Sequence, residues 1–225
     1  MNKKTNNTSE VRELKKHLKR SELIQSSLYR IAQAAHKADS LNDLYKAIHF
    51  IISKLMYAKN FYIAILDSNT NKINFPYYID QKDGKSSDAK PVKLEKKSLT
   101  VHCLELGVPL FYTKKDITDL KKLGEVYPIG TYPEVWLGSP LIIQEKTIGA
   151  IVVQSYDDKH LLSIEDRDLL NFVSELVAMV IQRKKLEAEQ LEYQSNLEKK
   201  IRERTKELFF AKEKAESAAQ AKSEF

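Results

Sequence analysis

Apolar positions recur at helical spacing over residues 9–38, at Val11, Leu14, Leu18, Leu28, Ile31 and Ala35. This predicts an amphipathic helix. Asp39-Ser40 breaks it, and Ser40 with Asp43 forms a capping-box pattern for a second helix. That helix shows Leu41, Leu44, Tyr45, Ile48, Ile52 and Leu55 on one face. At Phe61 the period changes from 3.6 to strand-like. Residues 61–66 are dense in strand formers, residues 68–71 make a turn, and residues 72–79 read as the return strand of a hairpin. Pro76 inside that strand calls for an edge position or a bulge.

Residues 80–91 read as a polar loop. A short helix is expected over 98–106, stopped by Gly107 and Pro109. A short strand over 110–113 follows, and then an irregular stretch to 132 with a helical turn at 116–123. Two strong strands, 136–143 and 148–156, flank a turn at 144–147. Ser163 and Asp166 repeat the capping-box pattern ahead of a helix over 164–183. Its apolar residues cover much of its circumference, so it is expected to be buried. Hairpin-linked strands bracketed by helices argue an α+β fold, an antiparallel sheet with helices packed on it.

Residues 186–225 read as one long helix with almost no breakers and no stop signal, expected to continue into a further segment. Leu197, Ile201, Leu208, Ala211, Ala215 and Ala218 recur at steps of three and four, with Arg204 and Lys222 at two further positions. This is the seam of a weak coiled coil. Leu197, Ile201 and Leu208 are its expected contacts in a parallel homodimer.

Composition narrows the classes. Lys and Arg number 37 against 31 Asp and Glu, a net charge of +6. The charges are interleaved along helices without a dense basic block, which argues against a nucleic-acid partner. No apolar run is long enough to span a bilayer. The single cysteine, Cys103, excludes an internal disulfide or a cysteine zinc site and suits a reducing compartment. A cytoplasmic location is therefore expected. No metal-ligand spacing, no phosphate-binding glycine loop and no catalytic constellation are present, so no cofactor and no enzymatic activity are expected.

Several segments together resemble GAF domains. They are Leu41-Asn42-Asp43-Leu44-Tyr45, the strand from Asn60, Leu106-Gly107-Val108-Pro109, Leu137-Gly138-Ser139-Pro140, Ile148-Gly149-Ala150 and Ser163-Ile164-Glu165-Asp166. They occur in that family's order over residues 21–183. Residues 1–20 are then a tail with the start of the first helix, and residues 184–225 a signalling helix. The stretches Glu203-Arg204-Thr205-Lys206-Glu207-Leu208 and Ala221-Lys222-Ser223-Glu224-Phe225 resemble the run entering the phosphoacceptor domain of sensor histidine kinases.

The resemblance implies a non-catalytic sensory input module of a two-component-type protein, passing ligand or partner state to an output kinase. A purely structural dimerisation module, a GAF input to a cyclase or phosphatase, and a GAF enzyme or chromoprotein remain as alternatives. Cys103 alone gives little support to the last, since residues 114–136 lack the cysteine that bilin-binding relatives use. The resemblance also places a small-molecule pocket at Tyr62, Phe75, Tyr77, Leu99, Phe111, Tyr132, Trp136, Ser139 and Gln154. The opposing reading is that these residues fill the core.

Overall fold

The computed structural model describes residues 3–85, 90–158 and 160–223, with backbone only at 3–13, 16, 17, 19, 85 and 214–223. The chain divides into two compact units, Met1–Gln182 and Arg183–Phe225. Of the sequence expectations, the middle of the 80–91 loop and the last two residues lie outside the described residues. So do the side chains of Val11, Ala215, Ala218 and Lys222.

The first unit opens with α1 (Lys3–Lys37) and α2 (Leu41–Ile52). Ser40 caps α2 by accepting from the Asp43 N–H at 3.2 Å. Strands β1 (Asn60–Asp67) and β2 (Lys72–Asp80) form the first hairpin, and β3 (Gly84–Lys85) and β4 (Val92–Lys93) add short edges to β2. Then come α3 (Leu99–Leu106), β5 (Leu110–Thr113), α4 (Lys114–Lys122), β6 (Val135–Ile143) and β7 (Lys146–Ser155). Helix α5 (Ile164–Ser223) starts at Ser163, which accepts from the Asp166 N–H while Asp166 accepts from the Ser163 N–H.

The seven strands form one antiparallel sheet in the order β3-β2-β1-β7-β6-β5, with β4 also paired to β2. The fold is α+β, as the hydrophobic pattern predicts. Several boundaries differ. The β6–β7 turn is two residues, Gln144 and Glu145, both at positive φ. Such a two-residue turn matches the twist of the strands it joins, and Lys146 and Thr147 are already in β7. The 80–91 stretch contains one short strand, Gly84–Lys85, and a second, Val92–Lys93, follows it. The helical turn at 116–123 is a full helix, because Thr113 and Asp116 close a capping box. The apolar stripe of α1 is only partly covered: Ile31 and Ala35 are buried, while Leu14 and Leu18 are exposed.

Both faces of the sheet are buried, against different partners. One face, with Phe61, Ile63, Leu137, Ile151 and Val153, packs on α1, α2 and the first turns of α5. On the other face, Tyr62, Ala64, Trp136, Ala150 and Val152 meet α3, with Ile117 of α4 in the same cluster. Helix α5 is apolar over much of its surface here, but Phe172 and Met179 are exposed.

His49 joins α2 to the sheet. Its ring stacks on Phe61 at 4.6 Å, and its Nε2 lies 2.7 Å from the Ala58 carbonyl. A carbonyl only accepts, so Nε2 carries the proton and Nδ1 accepts from the Tyr77 hydroxyl at 2.9 Å.

Where β1 meets β7, Gly149 lies against the neighbouring backbone. A Cβ there would sit 2.2 Å from the Ala64 carbonyl oxygen. Gly149→Ala should therefore force the central strands apart and cost about 1–3 kcal/mol, as overpacking generally does. Urea unfolding followed by circular dichroism checks this, and an unchanged midpoint would contradict the strand pairing.

Candidate functional site

Strand alternation decides what reaches the α3 face of the sheet. Residues two apart along a regular strand share a face. In β2 that rule is interrupted: Ile63 pairs with Tyr77 but Ile65 pairs with Asn74. Ala64 thus stands opposite both Phe75 and Pro76, which is a β-bulge. Its consequence is that Ile73, Phe75 and Tyr78 face α3, while Tyr77 turns to the helical core.

Above this face lies a cavity of about 500 Å³. Tyr62, Phe75, Tyr78 and Trp136 give it aromatic walls. Residues 90–100, which include β4 and the start of α3, and the irregular segment 128–133 close over it. The rings hold one another: Tyr62 and Tyr78 stack at 5.3 Å, and Phe75 meets Tyr62 edge-on at 5.7 Å. Trp136 lies flat across its own strand over Gly138, where a Cβ would come within 2.2 Å of the indole. Its Nε1–H donates to the Tyr62 hydroxyl at 3.2 Å, and that hydroxyl lies 2.9 Å from Thr100 Oγ1 on α3. Burial pushes the Tyr62 phenol up to about 12, so it stays neutral and available as a donor.

The polar end of the cavity is built around two carboxylates. Asp80 is buried at the end of β2. One of its oxygens accepts the Lys82 and Asp83 N–H groups at 2.8 and 2.9 Å. The other accepts from Gln154 Nε2 at 2.6 Å and from the Tyr156 hydroxyl at 2.8 Å. Burial, then the bond to Asp80, drive the Tyr156 phenol well above its ordinary value. Asp83 reaches across to the covering segment. It accepts from the Thr131 N–H at 3.0 Å and from the Thr131 hydroxyl at 2.8 Å. Gly130, at φ 81°, passes directly over that carboxylate, and a Cβ there would sit 2.2 Å from an oxygen. The positive φ favours glycine here, and any Cβ would also have to push the Asp83 carboxylate aside.

Of the nine residues assigned from sequence, Tyr62, Phe75, Leu99, Trp136 and Gln154 come together around the cavity. The other four do not line it. Tyr77 is turned away by the bulge and bonds His49. Phe111 lies one residue out of phase in β5 and packs on the helical core. Ser139 is three residues from Trp136, hence on the opposite face, where its hydroxyl meets Ser174 and Asn171 of α5 at 2.9 and 3.1 Å. Tyr132 sits between two lining residues but turns toward α4, with Lys121 Nζ 5.3 Å from its ring centre.

Sequence reasoning missed Tyr78, Asp83, Lys90, Lys96, Thr100 and Thr131. The available signal was Pro76, which marks the bulge that brings Tyr78 round. Aspartates at the first and fourth positions of the Asp80-to-Asp83 turn were a second signal.

Among the described residues no group of three or more His, Cys, Asp or Glu side chains is placed to hold a metal ion. Cys103 is buried on α3, and burial pushes its thiol up to about 12. It also has no second cysteine to pair with.

No profile of a known protein family matches the chain, and no curated protein matches it. Solved structures do. The GAF domain of a phosphoenolpyruvate-protein phosphotransferase from Coxiella burnetii matches 73% of this chain and 96% of its own, with a TM-score of 0.57 at 16% identity. A methyl-accepting chemotaxis protein fragment matches 69% of this chain and 97% of its own, with a TM-score of 0.57 at 13% identity. The free methionine-R-sulfoxide reductase of Neisseria meningitidis, solved with its substrate, matches 72% and 90%, with a TM-score of 0.56 at 7% identity. The chain therefore has the GAF fold.

The Cys103 environment yields a direct test. A thiol reagent such as Ellman's reagent should react at pH 8 far more slowly with the native protein than with the urea-unfolded chain, because the thiolate is the nucleophile. Equal rates in the two states would show that α3 does not cover this site.

Proposed function

We propose that the protein is a non-catalytic sensory input module in which the cavity between the sheet and α3 binds a small molecule. The observation that carries this reading is the cavity itself. It has about 500 Å³ of space, aromatic walls and a few fixed polar groups, the usual make-up of a small-molecule site. The GAF fold supports the reading, as does the fold's presence in a chemotaxis protein. The domain boundaries that go with it are 21–183 for the sensory domain and 184–225 for the signalling helix. No helix among the described residues is long and apolar enough to cross a membrane, and we place the module in the cytoplasm.

The output half of the proposal rests on the second unit. There Leu186, Tyr193, Leu197, Ile201 and Leu208 are all exposed. Ion pairs along the same helix, such as Arg183–Glu187 at 2.9 Å and Arg204–Glu207 at 2.9 Å, are exposed and screened by water, so they do little to hold it. A helix of this length with an uncovered apolar stripe is best stabilised by a second copy. A parallel homodimer with Leu197, Ile201 and Leu208 at the seam would deliver two identical helices to one output domain. The kinase-like segments of the tail favour a histidine kinase as that output, with a cyclase or phosphatase as the alternative.

Mass spectrometry of small molecules released from protein purified from its native host tests the cavity reading. One stoichiometric compound is expected, and protein that repeatedly releases nothing counts against it. For the seam, light scattering should show a dimer that Leu197→Glu with Ile201→Glu dissociates while the unfolding midpoint of the domain holds. Leu208→Cys should cross-link two protomers on mild oxidation. A monomer at high micromolar concentration, or no cross-link, would remove the parallel dimer.

A further inference from the structure

The polar groups around the cavity are sorted along β2, and the sorting selects a ligand class; the argument rests on the cavity being the ligand site. At the Asp80 end stands Gln154, only 6% exposed. Its Nε2 donates to Asp80, and a carboxylate only accepts, so the orientation of the amide is fixed. Its Oε1 has no partner among the described residues, yet no fully buried side-chain polar atom is left unsatisfied. Oε1 is therefore an open acceptor on a residue that lines the cavity. The carboxylates of Asp80 and Asp83 add negative potential at this end.

The other end of β2 carries the opposite sign. There β4 pairs Lys93 with Lys72 and Val92 with Ile73. The chain on either side of β4 brings Lys90 and Lys96 to the cavity wall. Both side chains are exposed, and neither has an ion-pair partner among the described residues. Between the two ends stand Tyr62, Phe75 and Trp136, aromatic lining that suits a planar ring.

We propose that the cavity takes a planar aromatic or heteroaromatic small molecule with an N–H or O–H donor at one end and an anionic group at the other. The donor meets Gln154 Oε1, the ring lies among the aromatic walls, and the anion is held by Lys90 and Lys96. A carboxylate and a phosphate satisfy the lysines equally, so the anion is assigned by charge alone.

Calorimetry on the full chain with four probes tests this. Indole-3-acetate and 4-aminophenyl phosphate carry the ring, the donor and the anion. Indole-3-acetamide keeps the ring and donor without the charge, and tryptamine reverses the charge. The expected order is at least one anion bound, the amide at least tenfold weaker than indole-3-acetate if that is the anion bound, and tryptamine weakest. Whichever anion binds tells a carboxylate source from a phosphate source. Lys90→Ala with Lys96→Ala, both at exposed positions, should remove the preference for the anion and leave binding of the amide unchanged. Equal binding of acid, amide and amine would overturn the ligand class while leaving the cavity reading intact. An anion preference that survives the double substitution would overturn the role of the lysines. No anion bound at millimolar concentration would overturn the proposal outright, and the host-purified protein then decides separately whether the cavity holds any ligand.

Discussion

Everything in the first unit depends on a sheet that is buried on both faces. Phe61, Ile63, Leu137 and Ile151 are fully buried toward the helices, and Ala64, Trp136, Ala150 and Val152 toward α3. Each central strand therefore supplies apolar side chains in both directions, and a slip of one residue would exchange the two sets. Large side chains fill the helical side. On the α3 side, glycine and alanine at Gly138, Ala64 and Ala150 leave room above the strands. Trp136 lies down over Gly138 into part of that room, and the remainder is the cavity. The size difference between the two faces is thus what leaves a cavity on one of them.

The same constraint explains which parts were legible in the sequence. Helix and strand positions followed from periodicity and from start and stop patterns: Ser40 with Asp43, Gly107 after α3, and Ser163 with Asp166. The α+β class followed from the hairpin spacing. Faces were harder. In β6 and β7 every position is buried until near the hairpin turn, so polarity does not reveal which side chains point which way. The resemblance placed Ser139 in the pocket, and nothing in the strand pattern opposed it, yet it bonds α5. In β2 the bulge breaks the period, and Tyr77 and Tyr78 exchange the faces that simple alternation assigns.

The electrostatic part of the site was the least visible. Asp80 and Asp83 sit in what reads as an ordinary polar loop, and nothing local in the sequence ties them to Gln154, Tyr156 or Thr131. Those contacts join residues 48 to 76 positions apart. They exist because β2 and β7 flank β1 and because segment 128–133 crosses the end of β2. Lys90 and Lys96 likewise acquire meaning only once β4 pairs with β2. Periodicity locates elements, whereas charge pairs across a sheet become visible only with its topology.

Trp136 floors the cavity on the α3 face of the sheet, where the proposed ligand would sit. Trp136 is the single tryptophan, so 5-fluorotryptophan incorporation gives one fluorine resonance that reports on that floor alone. Titration should use a compound shown by calorimetry to bind with one-to-one stoichiometry. The account predicts that the resonance shifts in step with occupancy. A resonance that stays fixed while the compound binds would place the ligand elsewhere and leave the α3 face as core.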